Sequence, residues 1–264
     1  MTDPNLWNQL LIWPILNLLV AFYRVFEFIH APGPLGFAVI ALTVVIRFVL
    51  YPLMNAQMTS ARKMAKLKPH MDALSAKHKN DKTALQQAQL ALYKEHGVNP
   101  AAGCLPLLVQ MPVLIALYNV FSHVLIAGDP TRVISDINAI VYAPFLRLTN
   151  FDVSFFGLSL AIKPSEWQTQ GWWLLTVPII TGLLQWYQSK LMMPPSAEAS
   201  GGKALVKHGE KAAPDTAMEM QKQMAIITPI MFGFFAFQFP LGLALYWNIF
   251  GLFGIMQQRK VNRQ

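Results

Sequence analysis

Arg47 stands inside an apolar run, Leu35 to Leu53, that is long enough to cross a bilayer. A guanidinium near mid-membrane costs about 3 kcal/mol on insertion scales, so it normally faces a bundle interior or a water-filled cavity. If the helix runs to about Gln57, roughly ten residues, or about 15 Å, separate Arg47 from the charged end, further than a side chain snorkels. An interior ion pair would satisfy the charge, yet the other apolar runs carry no acid. The reading that remains is a hydrated polar pocket within the membrane. Thr43, one turn earlier, shares the helical face of Arg47. The later runs add Gln110, Gln185, Gln188 and Asn248. Taken singly such amides are interhelical glue; beside an unpaired arginine they read as the wall of one wet cavity. Pro106 and Pro112 in the second run and Pro178 in the third free backbone carbonyls and predict helices bent around that cavity.

Other chemistries find no foothold. Cys104 is the sole cysteine, so no internal disulfide can form. The six histidines lack zinc-ligand spacing, and there is no Walker-type glycine loop or Gly-x-Ser-x-Gly elbow. The acids lie outside the apolar runs, which argues against an intramembrane protease. No enzyme activity, no metal and no cofactor are expected.

The elements that must position Arg47 are membrane helices. The 264 residues are 54% hydrophobic and 13% charged, with mean hydropathy +0.38, outside the soluble globular range. After the first run, apolar segments recur near Leu105 to Ile126, Trp172 to Met193, Met224 to Phe239 and Leu241 to Met256, giving five spans. The last two, separated by Phe239-Pro240, predict a tight helical hairpin. Leu6 to Ile29 interleaves polar and interfacial residues and reads as an amphipathic helix in the interface, with a sixth span as the alternative. It opens with Asp3 rather than basic residues and is not expected to be a cleaved signal peptide. The absence of an Arg-rich, Ser-rich transit segment favours a bacterial plasma membrane.

Orientation follows from lysine and arginine in the connections. The first connection holds eight of them against three acids, whereas Gly128 to Gln170 holds three against four. The first is therefore expected inside and the second outside, with the N-terminus outside and the C-terminus cytoplasmic. Within the first connection, Ala61, Met64, Leu67, Met71 and Leu74, then Leu85, Ala88 and Leu92, recur at helical spacing. They predict an amphipathic hairpin turning at Lys77 to Asp81, with Pro69 kinking or restarting its first arm. It serves either as a packed cap or as a docking arm with a Met-bearing face. The stretch from Met193 to Pro214 has the composition of a flexible linker. Short helices are expected around Val133 to Leu148. The net charge of +8 sits mostly in the first connection and the tail, where anionic lipid accounts for it better than nucleic acid does.

Three motifs resemble the YidC/Oxa/Alb family of membrane-protein insertases. They are Val45 to Leu53 with its arginine, Asn99-Pro-Ala-Ala-Gly-Cys-Leu-Pro106 through Pro112, and Phe239-Pro-Leu-Gly-Leu-Ala-Leu-Tyr246-Trp247. The basic hairpin is similar in place, length and charge, and the resemblance runs from about Trp7 to Gln258. It implies an all-α polytopic membrane protein with five core helices around a hydrophilic groove, open to cytoplasm and lipid but closed outside. Arg47 would be the central charge, and Thr43, Gln110, Gln185, Tyr246 and Trp247 would line the substrate-binding groove.

The implied organisation is an interfacial segment 1–32 and a core 33–258, followed by a short basic tail 259–264. The core includes a cytoplasmic hairpin 57–98, an extracytoplasmic loop 126–170 and a flexible cytoplasmic loop 193–220. The implied function is insertion of transmembrane segments of newly made proteins without nucleotide hydrolysis. Nascent membrane proteins and the lipid bilayer are the implied partners; the Sec translocon and the ribosome are allowed, and no specific nucleic-acid sequence is implied. The chain departs from Gram-negative members by lacking an extra N-terminal span and a large outer domain. It departs from many Gram-positive members by lacking a cysteine near its start, and its tail is too short for extended ribosome binding. The alternatives are a small-solute transporter or channel using the same cavity, and a chaperone that packs membrane proteins without inserting them.

Overall fold

The computed structural model describes residues 2–78, 81–98, 105–126, 129–192 and 216–263. The fold is all-α apart from one small hairpin. A π-helical turn, Asn8–Ile12, leads into α1 (Trp13–Phe28), and then follow α2 (Pro34–Lys77), α3 (Lys82–Glu95), α4 (Leu105–Ile126) and α5 (Pro130–Ile140). Strands β1 (Ser154–Phe155) and β2 (Leu158–Ser159) pair antiparallel. The short α6 (Trp167–Gln170), then α7 (Thr176–Met192), α8 (Thr216–Gln238) and α9 (Leu241–Arg263) complete the chain.

Local signals account for most boundaries. Asp81 caps α3 by accepting from the Ala84 N–H at 2.9 Å, and Asp129 caps α5 by accepting from Thr131 at 3.0 Å. Pro130 occupies a first-turn position of α5, where no helical N–H is needed. The helix α9 follows Pro240 and has its first donors taken by loop carbonyls: Leu241 N–H to Ile162 O at 2.9 Å, Gly242 N–H to Leu160 O at 3.0 Å. At the start of α2, Gly33 adopts φ +85° against the Phe155 backbone, a conformation and a proximity that a side chain would forbid.

The 44 residues of α2 span about 66 Å at 1.5 Å per residue, roughly twice the hydrocarbon thickness of a bilayer. Pro69 lies inside this continuous helix and does not restart it. It removes a single N–H bond, and at this exposed position water can satisfy the freed carbonyl. Two other prolines also differ from expectation. Pro106 and Pro178 are the second and third residues of α4 and α7, in the first turn, where they initiate helices rather than bend them; Pro112 alone of the three lies in a helix interior.

Helix α9 is central, packing on α2 and α7 and touching α4 and α8. Helices α7 and α8 pair through glycines: a Cβ on Gly233 would lie 3.4 Å from the Pro178 carbonyl and 3.8 Å from Gly182 Cα, so the backbones come close. The main core joins Leu16, Leu19 and Val20 of α1 to Leu117 and Phe121 of α4, Ile137 of α5 and Leu243 of α9. The outward faces carry Phe48, Val49, Ile179, Leu183, Ile230 and Phe234, all exposed, as a lipid-facing surface requires. Asn8–Phe28 and Pro34–Met64 are long and apolar enough to cross a bilayer; Gln110–Leu125 and Ala225–Gln238 are shorter apolar stretches. The two ends of the bundle differ. The loop connecting α4 to α7 covers one, and the α2–α3 hairpin extends from the other.

Candidate functional site

Arg47 is only 5% exposed, held where α2 meets α9. Its Nε donates to the Phe250 carbonyl at 3.0 Å and its Nη2 donates to the same oxygen. The guanidinium carbon stands 3.6 Å from the centroid of the Phe250 ring, a contact worth about 2 kcal/mol when desolvated. No carboxylate among the described residues pairs with it; Glu27 is held by Arg24 at 2.7 Å, and Asp136 lies 2.9 Å from His123 Nε2. The charge is thus solvated by a neutral carbonyl and a ring, not neutralised.

Helix α9 makes this approach possible by lacking side chains at two positions. A Cβ on Gly254 would lie 2.5 Å from Arg47 Nη2 and 2.6 Å from Gln188 Nε2. One on Gly251 would lie 3.3 Å from Gln185 Nε2. The glycines, one turn apart, let polar heads from α2 and α7 reach the α9 backbone. From α4, Gln110 donates to the buried Tyr246 hydroxyl at 3.0 Å, and the Tyr246 ring stacks 5.6 Å from Phe250. A contact path Gln110–Tyr246–Phe250–Arg47 therefore joins three helices. Beside it, Gln110 Oε1, Trp247 Nε1 and Asn248 Oδ1 are buried without a hydrogen-bond partner among the described residues. Buried polar atoms ordinarily find a protein or water partner, so these three are exceptions clustered near Arg47. In front of Arg47, a cleft of about 310 Å³ opens between α2 and α9, with Phe48 and Tyr51 on one wall, Phe253 and Gln257 on the other, and Lys260 at its end.

The residues singled out from sequence fall into three groups. Arg47, Gln110 and Tyr246 share the contact path, and Gln185 approaches from α7. Trp247 packs in an aromatic cluster, its ring 5.3 Å from Phe232 and 5.9 Å from Phe239. Thr43 is fully buried, and its hydroxyl donates at 2.6 Å to the Val39 carbonyl of its own helix. Phe250, Gly251 and Gly254 went unnoticed in the sequence. Their signal is a glycine pair following an aromatic residue in the last span, where close backbone approach is the usual use of glycine. The segment Asn99 to Cys104 of the second motif lies outside the described residues, as do residues 193–215 of the expected flexible loop 193–220, whose last five residues are instead the first of α8.

An all-α membrane fold with a buried arginine beside unsatisfied polar atoms defines a class: helical membrane proteins with an intramembrane polar site. The comparisons narrow it. A family model described as 60Kd inner membrane protein matches residues 13–264. The chain is 30% identical over 257 residues to the membrane protein insertase YidC of Geobacter sulfurreducens, covering 97% of this chain and 38% of that one. It is 32% identical to the membrane protein insertase YidC 1 of Halalkalibacterium halodurans, over 96% of this chain and 77% of that one. Against the membrane protein insertase MisCA of Bacillus subtilis the figures are 31%, 97% and 78%. A crystal structure of an active YidC insertase, with its first transmembrane domain resolved, shares the fold over 96% of this chain and 46% of that one, at TM-score 0.50 and 23% identity. The chain belongs to the 60Kd inner membrane protein family, a family of the bacterial inner membrane, and it spans 38% of the length of its Geobacter sulfurreducens relative.

Proposed function

We propose that this chain inserts transmembrane segments of newly made proteins into the bilayer without nucleotide hydrolysis and without acting as an enzyme. The observation that carries this reading is Arg47: a buried cation, unpaired with any described carboxylate, at the back of a cleft that faces lipid. Its relatives' names as insertases support the same reading.

The energetics suffice. A helix of about twenty Leu-like residues gains roughly 6 to 12 kcal/mol on entering lipid, while each charge on its leading tail opposes passage by about 3 kcal/mol. A polar site partway across shortens the dry path of that tail. Arg47 would hold an acidic tail transiently, and the membrane potential then favours its outward movement by about 2.3 kcal/mol per charge per 100 mV. In this reading the loop end faces outside and the α2–α3 hairpin faces the cytoplasm. The units are 1–32, the core 33–258 and the tail 259–264, with Arg47, Gln110, Gln185, Tyr246 and Trp247 meeting the substrate; Thr43 joins them after a change of rotamer. Nascent membrane proteins and lipid are the partners, with the Sec translocon and the ribosome as further candidates.

Reconstitution in liposomes with a single-span, acidic-tailed substrate tests this. Protease protection that requires the protein and falls in Arg47→Ala is the expected result. Protection no greater than in empty liposomes would remove autonomous insertion.

A further inference from the structure

The cleft between α2 and α9 has a second end, away from the buried arginine, and it too carries a cation. Val44, Phe48 and Tyr51 of α2 face Phe253, Met256 and Lys260 of α9 across it, and each set recurs at the three- and four-residue spacing of one helical face. Helix α9 carries no charge from Leu241 to Gln258, about 27 Å at 1.5 Å per residue, which nearly matches the ~30 Å of bilayer hydrocarbon. Arg259 and Lys260 therefore stand at headgroup level, at the hairpin end. The cations there are not equivalent. Arg259 donates to the Tyr187 hydroxyl of α7, and Arg62 of α2 donates to the Val261 carbonyl. Lys260 is exposed, has no ion pair among the described residues and closes the mouth of the cleft. From that mouth inward the lips are apolar, with Phe48 and Met256 both exposed.

We propose that this cleft binds one anionic phospholipid from the leaflet at the hairpin end, with an acyl chain along Phe48, Phe253 and Met256 and the phosphate on the Lys260 ammonium. The apolar walls accept any tail, since lipid tails are all as greasy as the helices they meet, so the headgroup decides which lipid stays. A zwitterionic headgroup brings its own cation to its phosphate and competes with Lys260. An anionic one has no internal partner. A basic pocket between membrane helices suits such a headgroup, and one lysine near the surface strengthens the hold about fivefold. The site goes beyond the insertase reading: it depends on the membrane fold and on Lys260, and on no substrate.

The test places the full chain in nanodiscs of phosphatidylcholine doped with phosphatidylglycerol whose acyl chain carries a diazirine, or with phosphatidylcholine bearing the same chain. Photolabelled residues are mapped by mass spectrometry. Phosphatidylglycerol is expected to label Phe48, Phe253 and Met256 about fivefold more than its twin does, while both label the exposed Ile226 and Ile230 of α8 alike. Lys260→Gln should remove the difference, Lys260→Arg should keep it, and Arg259→Gln should leave it intact. Raised salt should shrink it, because the lysine is exposed. Circular dichroism melts identify any variant that fails to fold, and the Lys260→Arg chain then carries the comparison with wild type. Equal labelling of the cleft by the two lipids would overturn the site. So would a preference that survives Lys260→Gln, which assigns the charge effect to the basic surface as a whole, or a cleft that neither lipid labels, which leaves it to a protein segment. Loss of protease protection with the lipid preference intact would remove the insertase reading and leave the lipid site standing.

Discussion

The two ends of the bundle are built by opposite means. At the loop end, Val133, Ile137, Ile140, Leu146, Leu148 and Leu160 enter the same core as α1, α2, α4 and α9. Polar ties fix that packing. The Asn17 amide donates to the Ile140 carbonyl at 3.1 Å and accepts from the Tyr142 N–H at 2.6 Å, while Asn138 and Leu148 exchange two bonds of 2.8 Å. The Tyr23 hydroxyl accepts from Asp152 N–H at 2.8 Å. At the hairpin end, Met64, Leu67, Met71, Tyr93 and Val98 form a small separate cluster in which two of the five side chains are methionines. The difference teaches how one chain closes one side of a polar site and leaves the other adaptable. Branched side chains with directional bonds specify a single packing, whereas flexible thioethers permit several.

The largest expected effect tests that contrast directly. Ile137 is fully buried in the main core, and Ile137→Ala should cost about 4 kcal/mol, because a cavity there has rigid walls. Met71→Ala, in the small cluster, should cost about 2 kcal/mol, since its neighbours can collapse. Chemical unfolding in detergent followed by circular dichroism measures both. Equal losses would show that the hairpin is packed as firmly as the loop, and the contrast would fail.

Next in size is Asn17→Leu. The substitution preserves bulk but leaves the Ile140 carbonyl and the Tyr142 N–H without their partner in a buried setting, at a cost of about 3 kcal/mol. Hydrogen exchange should locate the damage at residues 137–142 and spare α3. Protection lost across the whole chain would mean instead that the loop end is the nucleus of the entire fold.

The sequence revealed some of this and concealed the rest for identifiable reasons. Arg47 stood out because a charge in an apolar run is costly wherever the helix lies, so no partner had to be known. The turns at Phe239-Pro240 and near Lys77 to Asp81 were readable because proline, glycine and charge act locally. The role of Gly254 was not readable, since it depends on which helix crosses α9 at that turn. Thr43 shares the helical face of Arg47 as spacing predicts, yet its hydroxyl found a closer acceptor one turn back, and spacing carries no rotamer. Pro106 and Pro178 looked like bends because a proline reads the same in a first turn as in an interior until the helix start is fixed. The loop lid was invisible, because Asn17 meets Ile140 across more than a hundred residues.

The smallest expected effect sharpens the comparison at the hairpin end. Arg62 of α2 donates to the Val261 carbonyl at 2.6 Å, so the first arm of the hairpin caps the last turn of α9. A cation there also meets the negative end of the helix dipole. Arg62→Gln retains a donor but removes the charge, and should cost about 1 kcal/mol. The same helix end is tied to α7 by Asn262, which donates to the Leu191 carbonyl at 3.0 Å, so α9 does not come loose as a whole. The change should appear as faster exchange confined to the last turn of α9 and to the adjoining stretch of α2. If it instead reaches the loop end, then α9 transmits strain from the hairpin along its full length to the Leu160 and Ile162 carbonyls. The two ends would then be mechanically coupled through the helix that carries Phe250 and Gly254, and opening at the hairpin would alter the hold on Arg47.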